Sequence, residues 1–249
     1  MRHLKNITNS KNTNQSLKIE SGYKESNKKN QIMDFKKLKI GYLIFGTLFM
    51  LLIACNTNAQ NKKKYIYYLH GRIIEIQGKE AVSDEYGKYE FDSIVMALSG
   101  AEHIVIAEIR TENVDYLEYA NKVSNEIDSL VKTGIKPIDI TVIGASKGAI
   151  IASHISNINL NPVNYVFLAG NNEYQEKNNN WKFHGQVLCF YDLSDSIAGG
   201  NYDYWKNKEN YTTKFEQIEL KTHLGHGFLY KPLNAWIEPT RKWISAQKL

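Results

Sequence analysis

The chain alternates two kinds of segment. Short runs rich in β-branched and aromatic residues read as strands: "KYIYYLH" (64–70), "HIVIAEI" (103–109), "DITVIG" (139–144), "NYVFLAG" (164–170), "QVLCFYD" (186–192) and "FEQIEL" (215–220). Between them lie longer segments with apolar positions every three or four residues. "YEFDSIVMALSG" (89–100) predicts a helix that stops at a glycine. "VDYLEYANKVSNEIDSLVKTG" (114–134) predicts a helix with Leu117, Tyr119, Ala120, Val123, Ile127, Leu130 and Val131 near one face, closed by Gly134 with Pro137 just beyond. "KGAIIASHI" (147–155) and "LNAWIEPTRKWISAQ" (233–247) predict two more, the second with Pro239 as an internal irregularity. Nearly continuous apolar strands alternating with helices imply an α/β fold, a mainly parallel, doubly wound sheet flanked by helices on both faces. No internal repeat interrupts this pattern, and roughly 190 residues can bury a sizeable core.

The first 63 residues do not follow it. Residues 1–32 are rich in Asn, Lys and Ser and read as a disordered extension. Residues 40–54, "IGYLIFGTLFMLLIA", are an unbroken apolar run behind Lys36, Lys37 and Lys39, of signal-peptide rather than membrane-span length. The run ends at "LIAC" (52–55). That resembles the bacterial lipobox, which implies a signal peptide over 33–54, lipidation at Cys55 and an exported, membrane-anchored lipoprotein. An uncleaved anchor, or ordinary cleavage after "TNA" (57–59), are the alternatives, and translation starts at Met1 or Met33. Residues 55–63, with Lys62 to Lys64 at their end, read as a solvated tether to a domain over 64–249.

Charge narrows the partners. The net charge of +5 is concentrated at the start, since residues 1–54 hold 10 Lys and Arg against 3 Asp and Glu. The remaining 21 basic and 23 acidic residues nearly balance, so no nucleic-acid binding is expected of the folded part. Besides Cys55 there is only Cys189, inside an apolar strand, so neither a disulfide framework nor a metal site is expected.

Ligands of such sheets bind beyond the C-terminal strand ends. Those positions hold His70-Gly71-Arg72 after the first strand, Arg110 after the second and Ser146 after the third. Asp192 and Asp195 follow the fifth, and His223 and His226 the last. The turn at "GASKG" (144–148) has two chemical readings. A dinucleotide-binding turn is supported by Tyr204 and Lys208, which form a Tyr-x-x-x-Lys. It is opposed by Ile150 in the third glycine's place and by the turn's position after the third strand rather than the first. A nucleophile elbow fits better, because small residues two positions either side of Ser146 let strand and helix pack closely, and an acid and a histidine follow in order.

Through "YYLHG" (67–71), "GASKG" (144–148), "CFYDLSDSIAG" (189–199) and "LGHGFLYKP" (224–232) the sequence resembles the α/β-hydrolase superfamily over residues 64–247. The resemblance implies Ser146 as nucleophile, His226 as base and an aspartate as its partner, with the backbone N–H groups of Lys147 and Arg72 as oxyanion hole. Asp195 fits the acid position better than Asp192, a turn-capping residue by the alternative reading. His226, between two glycines, fits better than His223. His70 reads as structural, and His103, His154 and His184 carry no signal. Lys147 departs from the commonest elbows, and the short "NNEYQEKNNNWKFHG" (171–185) leaves no room for a large lid, which disfavours long-chain fats. Gly71 and Arg110 are possible substrate-binding residues. Arg72, Lys147 and Arg110 are expected near the site mouth, either to receive an acidic group or to pair with Glu75, Glu108 or Glu112. The expected function is an esterase-like serine hydrolase of a small-molecule ester, thioester or amide, without cofactor. The alternative is a non-catalytic binding lipoprotein on the same fold.

Overall fold

Residue by residue along the sheet, the buried side chains fall alternately into two separate apolar clusters. In β1 (Lys64–Leu69), Ile66 and Tyr68 enter one cluster, Tyr67 and Leu69 the other. β5 (Ile140–Ala145), β6 (Asn164–Leu168) and β7 (His184–Asp192) divide in the same way. The period-2 geometry of a strand makes this obligatory when both faces are covered. The computed structural model describes residues 63–246. The segments 1–32 and 33–54, Met33, Cys55 and the tether up to residue 62 lie outside the described residues.

Six strands form one parallel sheet in the order β4-β1-β5-β6-β7-β8, with β4 at His103–Ile106 and β8 at Tyr211–Leu220. This is the α/β fold, a doubly wound parallel sheet flanked by helices, that the alternating pattern implies. Helices α2 (Phe91–Leu98) and α7 (Asn234–Ser245) cover one face. α3 (Tyr116–Lys132) and α4 (Lys147–Ile158) cover the other. Asp115 caps α3 by accepting from the N–H groups of Leu117 and Glu118 at 2.9 and 2.8 Å. Leu117 departs from the face assigned to it: it is exposed, and the stripe of α3 is set by Tyr119, Ala120, Val123 and Ile127.

Several short elements had no periodic signature. They are α1 (Arg72–Gln77), a hairpin of β2 (Val82–Ser83) and β3 (Gly87–Lys88), α5 (Glu173–Asn178) and α6 (Asp203–Lys206). A helix of four to six residues spans less than two turns, too few for a 3.6-residue period to register. Lys64 also departs from the tether reading. It opens β1, pairs with Asp139 at 3.5 Å and donates to the Ile244 carbonyl at 2.9 Å. Among the described residues no helix is long and apolar enough to cross a membrane.

Candidate active site

Two glycines shape the turn that carries Ser146. A Cβ on Gly144 would overlap the carbonyl of Gly148, and a Cβ on Gly148 would overlap the carbonyl of Leu69 at the end of β1. Only glycine lets the helix start this close to two strands. Ser146 itself sits at φ 53°, ψ −118°, a conformation that L residues rarely hold. Its N–H donates to the Leu168 carbonyl at 2.9 Å, which anchors the strained turn to β6.

The strained turn holds the serine hydroxyl 2.9 Å from His226 Nε2. On the other side of the ring, His226 Nδ1 lies 2.7 Å from Asp195 Oδ2. With the Nδ1 proton donated to the carboxylate, Nε2 is the acceptor for the Ser146 hydroxyl. The second oxygen of Asp195 accepts from the N–H groups of Ile197 and Ala198 at 2.8 and 3.1 Å. Burial pushes the Asp195 carboxyl up, but the His226 hydrogen bond and charge and these two N–H groups outweigh it, so the group lies below its ordinary value. It is therefore an anion at neutral pH.

Asp192 stands elsewhere. One oxygen accepts from the Ser194 N–H and hydroxyl at 2.9 and 2.7 Å, the other from the Thr222 N–H and hydroxyl at 2.8 and 2.6 Å. Ser194 Oγ in turn accepts from the Gly225 N–H at 3.1 Å. This side chain joins the loop after β7 to the loop after β8, and so sets the distance between Asp195 and His226. Burial raises its carboxyl, and the Thr222 and Ser194 hydrogen bonds bring it below its ordinary value. His223 is exposed, in the left-handed region at φ 57°. Gly227 leaves room for Tyr86, the tip of the β2–β3 hairpin, whose ring centroid lies 6.4 Å from that of His226 and 5.4 Å from that of Tyr230.

Gly71 lies beside Ser146, since a Cβ there would stand 3.6 Å from Ser146 Cβ. Arg72 and Lys147 are the first residues of α1 and α4, where a backbone N–H has no acceptor within its own helix. The Arg72 side chain is exposed. The other two cations do not line the mouth. Lys147 and Arg110 turn inward onto Glu75, at 2.6 and 2.8 Å, and all three side chains are buried. The expected pairing with Glu75 holds for both, whereas Glu108 pairs with Lys122.

His70 is fully buried. Its Nε2 accepts from the Arg110 N–H at 3.0 Å and its Nδ1 donates to the Gly71 carbonyl at 2.9 Å. Burial, helped by the Arg110 charge, pulls its pKa down to about 4, so the ring is neutral and structural. Tyr204 and Lys208 form a surface cation–π pair, 4.5 Å from nitrogen to ring centroid. Among the described residues no group of three His, Cys, Asp or Glu side chains could hold a metal ion. Cys189 is buried in β7. Of the residues that build the site, Tyr86, Ser194 and Thr222 escaped sequence reasoning. Asp192-Leu193-Ser194 has the spacing of an Asx turn, but Tyr86 and Thr222 carry no local signal.

No family model matches the sequence, and no curated protein matches it. Several solved structures are similar in shape. SOBER1 of Arabidopsis thaliana is 13% identical, with 74% of this chain and 99% of that chain covered and a TM-score of 0.49. A YdeN-like hydrolase of Pectobacterium atrosepticum is 11% identical, with 75% and 94% covered and a TM-score of 0.49. RedJ, with a PEG molecule in its active site, is 12% identical, with 74% and 88% covered and a TM-score of 0.44.

Proposed function

We propose that the protein is a serine hydrolase that cleaves small esters or thioesters, and amides by the same chemistry, through Ser146, His226 and Asp195. The observation that carries this reading is the continuous relay from Ser146 Oγ through His226 to Asp195, at 2.9 and 2.7 Å, on a strained strand-to-helix turn. Ser146 Oγ attacks the carbonyl carbon while His226 Nε2 takes its proton. The negative charge that develops on the carbonyl oxygen is received by the N–H groups of Lys147 and Arg72. His226 then returns the proton to the departing alcohol, thiol or amine, leaving an acyl-serine. Water, deprotonated by the same imidazole, releases the acid and restores the serine. Asp195 remains an anion throughout, orienting the imidazole and stabilising its charged form.

The surroundings favour a compact substrate. Between β6 and β7 only the six-residue α5 intervenes, and between β7 and β8 only the four-residue α6, so among the described residues no lid domain covers the site. Leu193, Ile197 and Leu224, all exposed, flank the acid and histidine loops and suit a short acyl or alkyl group. Reaction with a fluorophosphonate followed by peptide mapping tests the proposal. The expected label is on Ser146 alone; a label elsewhere, or none on folded protein, removes the mechanism.

The enzyme's place is part of the same proposal. The basic flank, the apolar run 40–54 and "LIAC" support export as a lipoprotein held at a membrane by acyl chains on Cys55. Intact mass of membrane-extracted protein checks this: a lipid-bearing N-terminus at Cys55 is expected. An unlipidated N-terminus at Gln60, or retention of residues 33–54, would refute it.

A further inference from the structure

One buried carboxylate joins the loops that follow three strands. Glu75 lies in α1, three residues after Arg72 and beyond the end of β1. Its Oε2 receives Lys147 Nζ at 2.6 Å, from the residue that follows the nucleophile at the end of β5. Its Oε1 receives Arg110 Nε at 2.8 Å, from the segment after β4. Arg110 reaches on to the His70 carbonyl with Nη2, and its own N–H donates to the His70 ring. Lys147 Nζ also donates to the Val114 carbonyl at 3.0 Å and stands 4.9 Å from the Tyr116 ring centroid. The side chains of Glu75 and Arg110 are 1% and 0% exposed, and that of Lys147 is 9% exposed.

We infer that Glu75 is a positioning residue for the oxyanion hole, acting through Lys147 and Arg110. The inference rests on the serine-hydrolase reading. Its physical basis is the place of the linked atoms. The two backbone N–H groups proposed to receive the oxyanion belong to Arg72 and Lys147, and Glu75 ties the helix of the first to the side chain of the second. A buried ion pair with both carboxylate oxygens occupied has one geometry, so the two N–H groups are held at a set separation before substrate arrives. Preorganised donors stabilise the transition state because they need no reorganisation when charge develops. Three loops held only by backbone contacts would shift relative to one another, and a misplacement of about 1 Å can cost about 10²-fold in rate.

Glu75→Gln tests this directly but leaves Arg110 and Lys147 buried without a counter-charge, so it can fail by misfolding. Lys147→Met and Lys147→Gln avoid that, because the Lys147 N–H is kept and Glu75 stays paired with Arg110. Wild type and these variants are assayed with 4-nitrophenyl acetate, a fluorophosphonate and a trifluoromethyl ketone. In the Lys147 variants kcat is expected to fall by roughly 10- to 100-fold with KM within about threefold. Affinity for the ketone, which adds to the serine as a tetrahedral oxyanion, is expected to fall in proportion to kcat/KM. Unchanged kcat in a folded Lys147 variant overturns the inference. So does a loss confined to KM, or a loss of kcat that ketone affinity does not share. A wild-type protein that neither turns over substrate nor labels at Ser146 overturns the hydrolase reading instead.

Discussion

Asp192 holds Thr222 by two hydrogen bonds, 2.8 Å from its N–H and 2.6 Å from its hydroxyl, across the gap between the acid loop and the histidine loop. The two aspartates three residues apart thus divide their work. Asp195 faces the imidazole, and Asp192 closes the loops around it. Asp195→Asn is expected to lower kcat by about 10⁴, because an amide cannot hold the required tautomer. Asp192→Asn is expected to lower kcat by less than about tenfold and stability by about 1–3 kcal/mol, since an amide NH₂ would face the Thr222 N–H. Steady-state kinetics and urea unfolding of both variants separate the roles. The reverse ranking of kcat would move the acid to Asp192.

Ser146→Ala should abolish turnover and fluorophosphonate labelling while leaving the melting temperature unchanged or slightly raised. The hydroxyl is the proposed reacting group, and its hydrogen bond to His226 adds little to folding. A loss of several degrees in a thermal melt would show that the serine has a packing role as well.

Gly148→Ala should destabilise the fold by about 3 kcal/mol or more, because the new Cβ meets a backbone carbonyl of β1 that cannot move aside. Circular dichroism and thermal melting read this out. A variant that melts like wild type would mean that the elbow tolerates a wider strand-to-helix gap than the geometry allows.

The buried His70 predicts an acid-sensitive fold. Its pKa is pulled down to about 4 in the folded chain against 6.5 for the free side chain. As pH falls through about 6.5 the unfolded chain binds a proton that the folded chain does not, so stability declines until about pH 4 and then levels. The full difference is roughly 3 kcal/mol. Urea unfolding across that window should show the decline, and His70→Gln should flatten it. An unaltered slope in the variant would assign the acid sensitivity to other groups.

The sequence by itself determined the strands of the sheet and the turn that carries Ser146. The strand runs, the long helices α3 and α4, and the glycine–serine–glycine turn are set by neighbours in the chain, through side-chain period and through backbone space that only glycine allows. It also placed Ser146, His226 and Asp195 at strand ends in the order that the structure brings within hydrogen-bonding reach. What it left open needed contacts between segments far apart in the chain. Asp192 ends β7 and Asp195 follows three residues on, and the sequence only ranked them; the partners Thr222 and His226, about thirty residues on, tell them apart. For Lys147 and Arg110 the sequence left a charged mouth and pairing with Glu75, Glu108 or Glu112 both open, and only the fold puts Glu75, 72 and 35 residues away, between them. Burial decides that outcome: a cation enclosed by the fold must find a counter-charge, and which one it finds is a property of tertiary packing rather than of local sequence.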